Sequence, residues 1–581
     1  MSCSNLSRNE TRSYTAMEVG SEKPEQDNAS GMEKQILPES REHWAKKADF
    51  LLSVIGFAID LANVWRFPYL CFKNGGGAFF IPYLLMLFFG GIPLFYMELA
   101  LGQYACEGAI TCWGKVCPLF KGLGYSVVLI AFYTDLFYNI IIAWALFYFF
   151  SSFNYKLPWV SCDNSWNTVN CSIAHLQDRS NDTSLQFNSS ITFPSEEFYI
   201  KEVLGLTSEI SIENLGSVQW KTAVSFLIID LICFLSLFKG IKTSGKVVWF
   251  TAIFPYVVLF ILLVRGLTLE GSMDGLIYYL KPDLSKLDAL LVSAVNSATS
   301  FLSGFVIFSV LGYMAMKRGV SLEKVINEGW FKRMTNSVVL CIEDAGMVFK
   351  VYPEALATFP FPQFWSVMFF LMLLTLGLDS SFGGSEAIIT ALCDEYPVLK
   401  RHRGWFVLVL FSFYGIVGVL ETTQGGFYIF NLLQSTSVNY SILFAVLIET
   451  VCVSWIFGVD KFREAIDQMI GFKPSIYWKV CWKFVSPCFI LVSFVLFSHV
   501  FFKFNLICGL IAHQNLTYGA YVYPPWANAV GWVLSLSSVL VVPLVAIIKI
   551  IRDRRGPISE VCYISQFLIQ LLSENKEFTC H

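Results

Sequence analysis

Eleven apolar stretches, each close to the thickness of a lipid bilayer when coiled into a helix, leave this 581-residue chain few folds to choose from. They lie at about 51–73, 78–101, 123–150, 222–238, 247–264, 289–316, 364–392, 405–420, 440–457, 485–502 and 526–548. A helix needs about 20 mostly apolar residues to cross the hydrocarbon core, where every backbone N–H and C=O must be paired internally. The implied fold class is an all-α polytopic membrane protein. Hydrophobic residues make up 55% of the chain and charged residues 15%, against about 25% charged in a soluble domain. The formal net charge is −3, which excludes bulk attraction to a polyanion, so no nucleic-acid partner is expected. The 16 cysteines show no zinc-type spacing. With six histidines, no Ser/His/Asp set and no Walker loop, the chain is not expected to be an enzyme.

Loop charge sets an expected orientation. Residues 1–44 are polar and carry no apolar core, so no cleavable signal peptide is expected and this segment reads as a disordered cytoplasmic N-tail. Lysines and arginines gather at 46–47, 115–121, 239–246, 400–403, 461–463 and 552–555, which read as cytoplasmic. Residues 551–581 form a cytoplasmic C-tail on this reading, and 45–550 the membrane-embedded core. The loop at 151–219 reads as extracellular. It carries glycosylation sequons at Asn170, Asn181 and Asn188 and two close cysteines, Cys162 and Cys171, that can pair in an oxidising lumen. Parity then fails: eleven crossings that start inside must end outside, yet the last loops are basic. One crossing is missing between the fifth run and the seventh.

The first span holds the most chemistry. Gly56-Phe57-Ala58-Ile59-Asp60-Leu61-Ala62-Asn63 places a carboxylate in mid-span, and Pro68 follows. Such a carboxylate costs several kcal/mol unless it faces a cavity or a partner. The mixed polar and small residues with Pro68 predict a helix that breaks near mid-membrane. A broken helix frees carbonyl oxygens that can hold a small cation. Asp379-Ser380-Ser381 followed by two glycines offers a second oxygen set. With oxygen donors and no Cys or His nearby, an alkali ion fits better than a transition metal. The plainer alternative for an intramembrane carboxylate is a hydrogen bond between helices, and it is preferred for Glu98 and Asp230.

These residues resemble the sodium- and chloride-dependent neurotransmitter symporter family. The resemblance covers about residues 41–550. It rests on Asp60–Tyr69 with Asn74-Gly75-Gly76-Gly77-Ala78-Phe79, on Lys242-Thr243-Ser244-Gly245-Lys246, on Tyr352-Pro353-Glu354-Ala355, on Leu376-Gly377-Leu378-Asp379-Ser380, and on Leu157-Pro158-Trp159 before the two cysteines. Asp60 points to the monoamine branch, and Ile140–Phe153 most resembles dopamine and noradrenaline carriers. The resemblance implies a LeuT-like inverted-repeat bundle with 11 recognisable spans of an expected 12, in the plasma membrane, with a monoamine substrate, the lipid bilayer as surroundings, and Na+ and Cl− as coupled ions. Assembly as a homo-oligomer is left open. One sodium would be held by Ala58, Asp60, Asn63 and Asn296, the other by Gly56, Ile59, Leu376, Asp379 and Ser380. Chloride would touch Tyr83 and Ser300. The amine would pair with Asp60. Phe57, Ala131 and Tyr138 would face its ring, and Ser380, Ser381 and Gly384 its hydroxyls. Asp135 resembles a position of invertebrate dopamine carriers. Arg41 and Asp394 resemble the cytoplasmic gate pair, and Arg66 the outer gate.

Three features depart from the family pattern. The sixth span is absent near 287/288, where Leu287 passes directly to Asp288; the break coincides with the parity fault. Residues 327–342 form an atypical insert of roughly 15 residues. Gln434 stands where the outer-gate acid should face Arg66. The reading is a sodium- (and chloride-) coupled catecholamine symporter, with a non-transporting truncated isoform that modulates the full-length carrier as the alternative. Loss of the sixth span is expected to leave either an unfilled polar cavity beside Asp60 or segments shifted to fill it.

Overall fold

The structure, a computed structural model, describes residues 53–57, 59–73, 79–172, 192–207, 209–238, 241–269, 272–280, 303–309, 312, 346–492, 516–518 and 521–552. Among these the principal helices are α1 (Leu61–Lys73), α2 (Tyr83–Ala105), α3 (Lys121–Ser151), α4 (Trp220–Leu237), α5 (Ile241–Leu267), α6 (Ser272–Leu280) and α7 (Gly346–Leu356). They continue as α8 (Pro362–Glu395), α9 (Arg403–Glu421), α10 (Gly426–Ile470) and α11 (Pro525–Arg552). Eight helices among the described residues are long and apolar enough to cross a bilayer. They match eight of the eleven runs. The runs at 51–73, 289–316 and 485–502 lie partly outside the described residues, so the count of eleven is not reached. Extended pairing in the described residues is confined to a two-residue hairpin, Thr517–Tyr518 with Tyr521–Val522, and to isolated bridges.

The centre of the bundle is α3 against α8. α3 is buried over most of its second half, from Asp135 to Tyr148, as expected of a helix enclosed by other helices rather than by lipid. Gly377 and Gly384 on α8 make the contact close. A Cβ at Gly377 would lie 2.7 Å from Ile142, and one at Gly384 2.8 Å from Asp135 Oδ1. Outward faces of α4, α5 and α11 present Leu235, Phe260 and Val533, all well exposed. Such faces suit hydrocarbon, where apolar exposure carries no penalty.

Aromatic rings close one end of the bundle. Tyr148 of α3 stacks on Phe370 of α8 at 4.8 Å, and Tyr352 of α7 on Phe369 at 4.5 Å. The Tyr148 hydroxyl donates to the Phe349 carbonyl at 2.7 Å. Lys350 is fully buried beside them, 3.3 Å from Glu196 and over the ring of Tyr199. A buried ammonium requires such an anionic partner. The Cys162–Cys171 disulfide forms as the sequence suggests. Next to it Glu197 collects donors from Asn167, Thr168 and Thr192. Asn170 is exposed; Asn181 and Asn188 lie outside the described residues, as do the insert at 327–342 and both tails.

Candidate functional site

The first span is interrupted, but not at its proline. Helical residues 53–57 are followed by non-helical Ile59 and Asp60, and α1 begins at Leu61 with Pro68 inside it. The reason is a reciprocal cap. The Asp60 side chain accepts the Leu61 N–H at 2.5 Å, while the Asp60 N–H donates to Asn63 Oδ1 at 3.2 Å. Together they satisfy amides that a new helix start leaves free. Asp60 and Asn63 therefore define the break. Pro68 costs α1 one hydrogen bond without ending it.

Three helices converge on this break. The Tyr138 hydroxyl of α3 donates to Asp60 Oδ1. Ser380 of α8 donates to the Ile59 carbonyl at 3.4 Å, and Ser303 to the Asn63 carbonyl. The Phe57 ring lies over Gly383 of α8, where a Cβ would come within 2.3 Å of it, and the ring is 53% exposed. A half-open aromatic next to a carboxylate and a phenol is a surface able to receive a cationic, ring-bearing guest.

A cavity opens on the other side of the break. Gly56, Ile59, Thr251, Ala252, Leu376 and Asp379 line it. Asp379 is buried and, among the described residues, its Oδ2 has no hydrogen-bond partner. That oxygen sits where a Cβ on Gly56 would be, only 1.6 Å from it. An unpaired buried carboxylate oxygen is costly and calls for a cation or a donor. Oxygen from a carboxylate, a hydroxyl and helix-end carbonyls suits a hard cation. The residues therefore fit sodium. Asp60 is not among the lining residues. Tyr138 and the α1 amide already engage the Asp60 carboxylate.

The remaining sequence-predicted residues fall into three groups. Gly384 lies against Asp135, whose Oδ2 accepts from Ser385 at 2.6 Å. Ala131 is half-buried one turn before Asp135. Ser381 points away from the break: its hydroxyl donates to Asn139 Oδ1 at 2.8 Å and lies 3.6 Å from Cys233 Sγ of α4. Tyr83 is buried among Phe67 and Phe79, with its ring 4.9 Å from Phe67. Asp394 accepts from the Gly108 N–H at 2.7 Å. Arg66 is half-buried on α1. Arg41, Ala58, Asn296 and Ser300 lie outside the described residues. Sequence reasoning missed Thr251, Ser303, Ser385 and Asn139. Each is a polar residue inside an apolar run, a signal present in the sequence but too common in membrane helices to single them out.

Comparison with known proteins identifies the family. A family described as the sodium:neurotransmitter symporter family matches residues 41–288 and again 285–553. The chain is 46% identical over 572 residues to the sodium-dependent dopamine transporter of Caenorhabditis elegans, covering 90% of this chain and 89% of that protein. It is 44% identical to the sodium-dependent dopamine transporter of Bos taurus, covering 88% and 75%. The sodium-dependent serotonin transporter of Drosophila melanogaster is 43% identical, with 90% and 85% covered.

Proposed function

Since this chain belongs to the sodium:neurotransmitter symporter family, we propose that it serves sodium- and chloride-coupled uptake of a monoamine, dopamine or a related catecholamine, across the plasma membrane. One observation carries the sodium part. Four of the six residues that line the cavity, Gly56, Ile59, Leu376 and Asp379, belong to one expected sodium set. Sodium enters this account as a transported substrate.

The chemistry follows from the break in the first span. A protonated amine stripped of water needs an anion, and Asp60 is placed where three helices meet. Tyr138 and the Leu61 amide orient its carboxylate. Sodium at the Asp379 cavity would draw the 53–57 helix and α8 together, because each contributes oxygen to the same ion. The conformation that binds sodium is then also the one that builds the amine site, and this links the two fluxes. Tyr83 with Ser300 would serve chloride.

A second reading is favoured by one observation. The family match falls into two pieces that meet at 285–288, where the sixth span is missing from the sequence pattern. Without that span, a non-transporting chain that modulates the full-length carrier is the alternative. Uptake of tritiated dopamine in sodium and in choline tests both, using the chain as it stands and a version with a sixth span inserted between Leu287 and Asp288. Sodium-dependent uptake by the chain as it stands supports the symporter. Uptake only after insertion selects the modulatory reading. Absence of uptake in both rejects catecholamine transport.

A further inference from the structure

α3 begins at Lys121 and α8 ends at Glu395. The two central helices run antiparallel, with Asp135 against Ser385 and Tyr148 against Phe370, so these ends lie side by side. Lys121 Nζ pairs with Glu395 Oε1, and both residues are half-buried. Each charge is badly placed for its own helix, a cation at an N-terminus and an anion at a C-terminus, but well placed for its neighbour's. The contact therefore ties the two helices to each other. Thr111 donates to Glu395 Oε2 at 3.4 Å, and Tyr125, one turn along α3 from Lys121, donates to Oε1 at 3.5 Å. The next residue, Tyr396, is 44% exposed, and its hydroxyl shares a hydrogen bond with that of Tyr125 at 3.0 Å. Its backbone is extended, with φ −118° and ψ 99°, between the end of α8 and a five-residue helix, Pro397–Arg401. Two acidic residues, Asp394 and Glu395, precede it, and Lys400 and Arg401 follow.

We propose that Tyr396 is a phosphorylation site for a cytoplasmic tyrosine kinase, and that its phosphate takes Lys121 from Glu395 and releases the tie between α3 and α8. An exposed phenol on extended backbone can enter a kinase cleft without unfolding a core helix. The acidic pair ahead of it suits a basic substrate groove. In the reaction the Tyr396 oxygen attacks the γ-phosphorus of ATP, the bond to the ADP oxygen breaks, and the phenolic proton passes to the kinase's catalytic aspartate. The phosphate carries about −1.5 to −2 charges against the single one of Glu395, so Lys121 gains by the exchange. It also stands near the amino end of α3, where the helix dipole favours an anion. Glu395, now beside a second anion, is driven away. The proposal is independent of the sodium reading and needs the 396–403 segment on the cytoplasmic side, as its basic residues imply.

For the test, the full chain is expressed in animal cells with and without pervanadate, which blocks tyrosine phosphatases, and purified into lipid nanodiscs. Peptide mass spectrometry reads phosphate on Tyr396, and hydrogen exchange reads the amides at the end of α8, residues 391–396. After pervanadate the parent is expected to carry phosphate on Tyr396, with exchange at 391–396 about fivefold faster, the scale of one lost ion pair. Tyr396→Phe should keep the slow exchange of the untreated parent under both conditions. Lys121→Met should exchange about fivefold faster without any phosphate and gain less than about twofold more when phosphorylated, because the tie is already gone. No phosphate on Tyr396 in the treated parent would overturn the modification site. Phosphate with unchanged exchange at 391–396, or a gain in Lys121→Met equal to the parent's, would overturn the partner exchange. Fast exchange in pervanadate-treated Tyr396→Phe would overturn it too, because another modified residue would then be responsible.

Discussion

Adding one methyl group at Gly56 should weaken sodium binding at the Asp379 cavity about a hundredfold while leaving the bundle folded. A Cβ at Gly56 would stand 1.6 Å from Asp379 Oδ2 and 2.6 Å from its Cγ, whereas ordinary contact begins at 3.4 Å. In Gly56→Ala the carboxylate oxygen must retreat by about 1.8 Å, the difference between those distances. At an effective dielectric of about 20, drawing a cation and a carboxylate apart from about 2.4 to about 4.2 Å loses about 3 kcal/mol. That corresponds to roughly a hundredfold rise in half-saturating sodium. The matched control is Gly90→Ala on α2, where an added Cβ meets nothing within 4 Å. Both variants would be purified in nanodiscs, and their melting temperature followed against sodium in choline-balanced buffer. Gly90→Ala should titrate within about twofold of the parent. If Gly56→Ala also titrates within about threefold, Asp379 does not need its place over Gly56 to hold the ion, and the cavity is not the sodium site.

Three further outcomes are expected. Asp60→Gly should eliminate sodium-dependent binding of tritiated dopamine in a scintillation proximity assay, and Tyr138→Phe should weaken it about tenfold through loss of one hydrogen bond to a charged group; unchanged binding in Asp60→Gly would refute the amine role of that carboxylate. In the disulfide-bearing loop, burial pushes the Glu197 carboxyl up, but hydrogen bonds from Thr168, Thr192 and Asn167 outweigh it and hold the group below the usual carboxylate range. A group lowered in the folded state contributes stability that is fully present above the unfolded value of about 4.3 and is lost as pH falls through the folded value. The parent should therefore lose more melting temperature below about pH 4.5 than Glu197→Gln does, and parallel curves for the two would refute the linkage.

Membrane character was legible from length and apolarity alone, because solvation in hydrocarbon constrains every residue of a span at once. Asp60 was legible for the same reason: a carboxylate inside a span is too costly to be incidental. The pairing of Cys162 with Cys171 needed only nine residues of separation and an oxidising loop. The position of the break was less legible. Pro68 is the usual sign of a broken helix, but the reciprocal cap between Asp60 and Asn63 decides where α1 begins.

Spacing along one helix tells which of its faces is buried, but not which residue of another helix lies opposite. Those partnerships depend on the rotation and height of two helices that pack far apart in sequence. Tyr138 with Asp60, Ser385 with Asp135 and Ser381 with Asn139 are all of this kind. Close approach through Gly377 and Gly384 sets α8 against α3, and that register turns Ser381 toward Asn139 while Ser380 faces the Ile59 carbonyl. Residue chemistry was thus written along the chain, because the bilayer makes each polar group account for itself. Which of those groups meet came from helix packing, because only contact between surfaces selects their relative rotation.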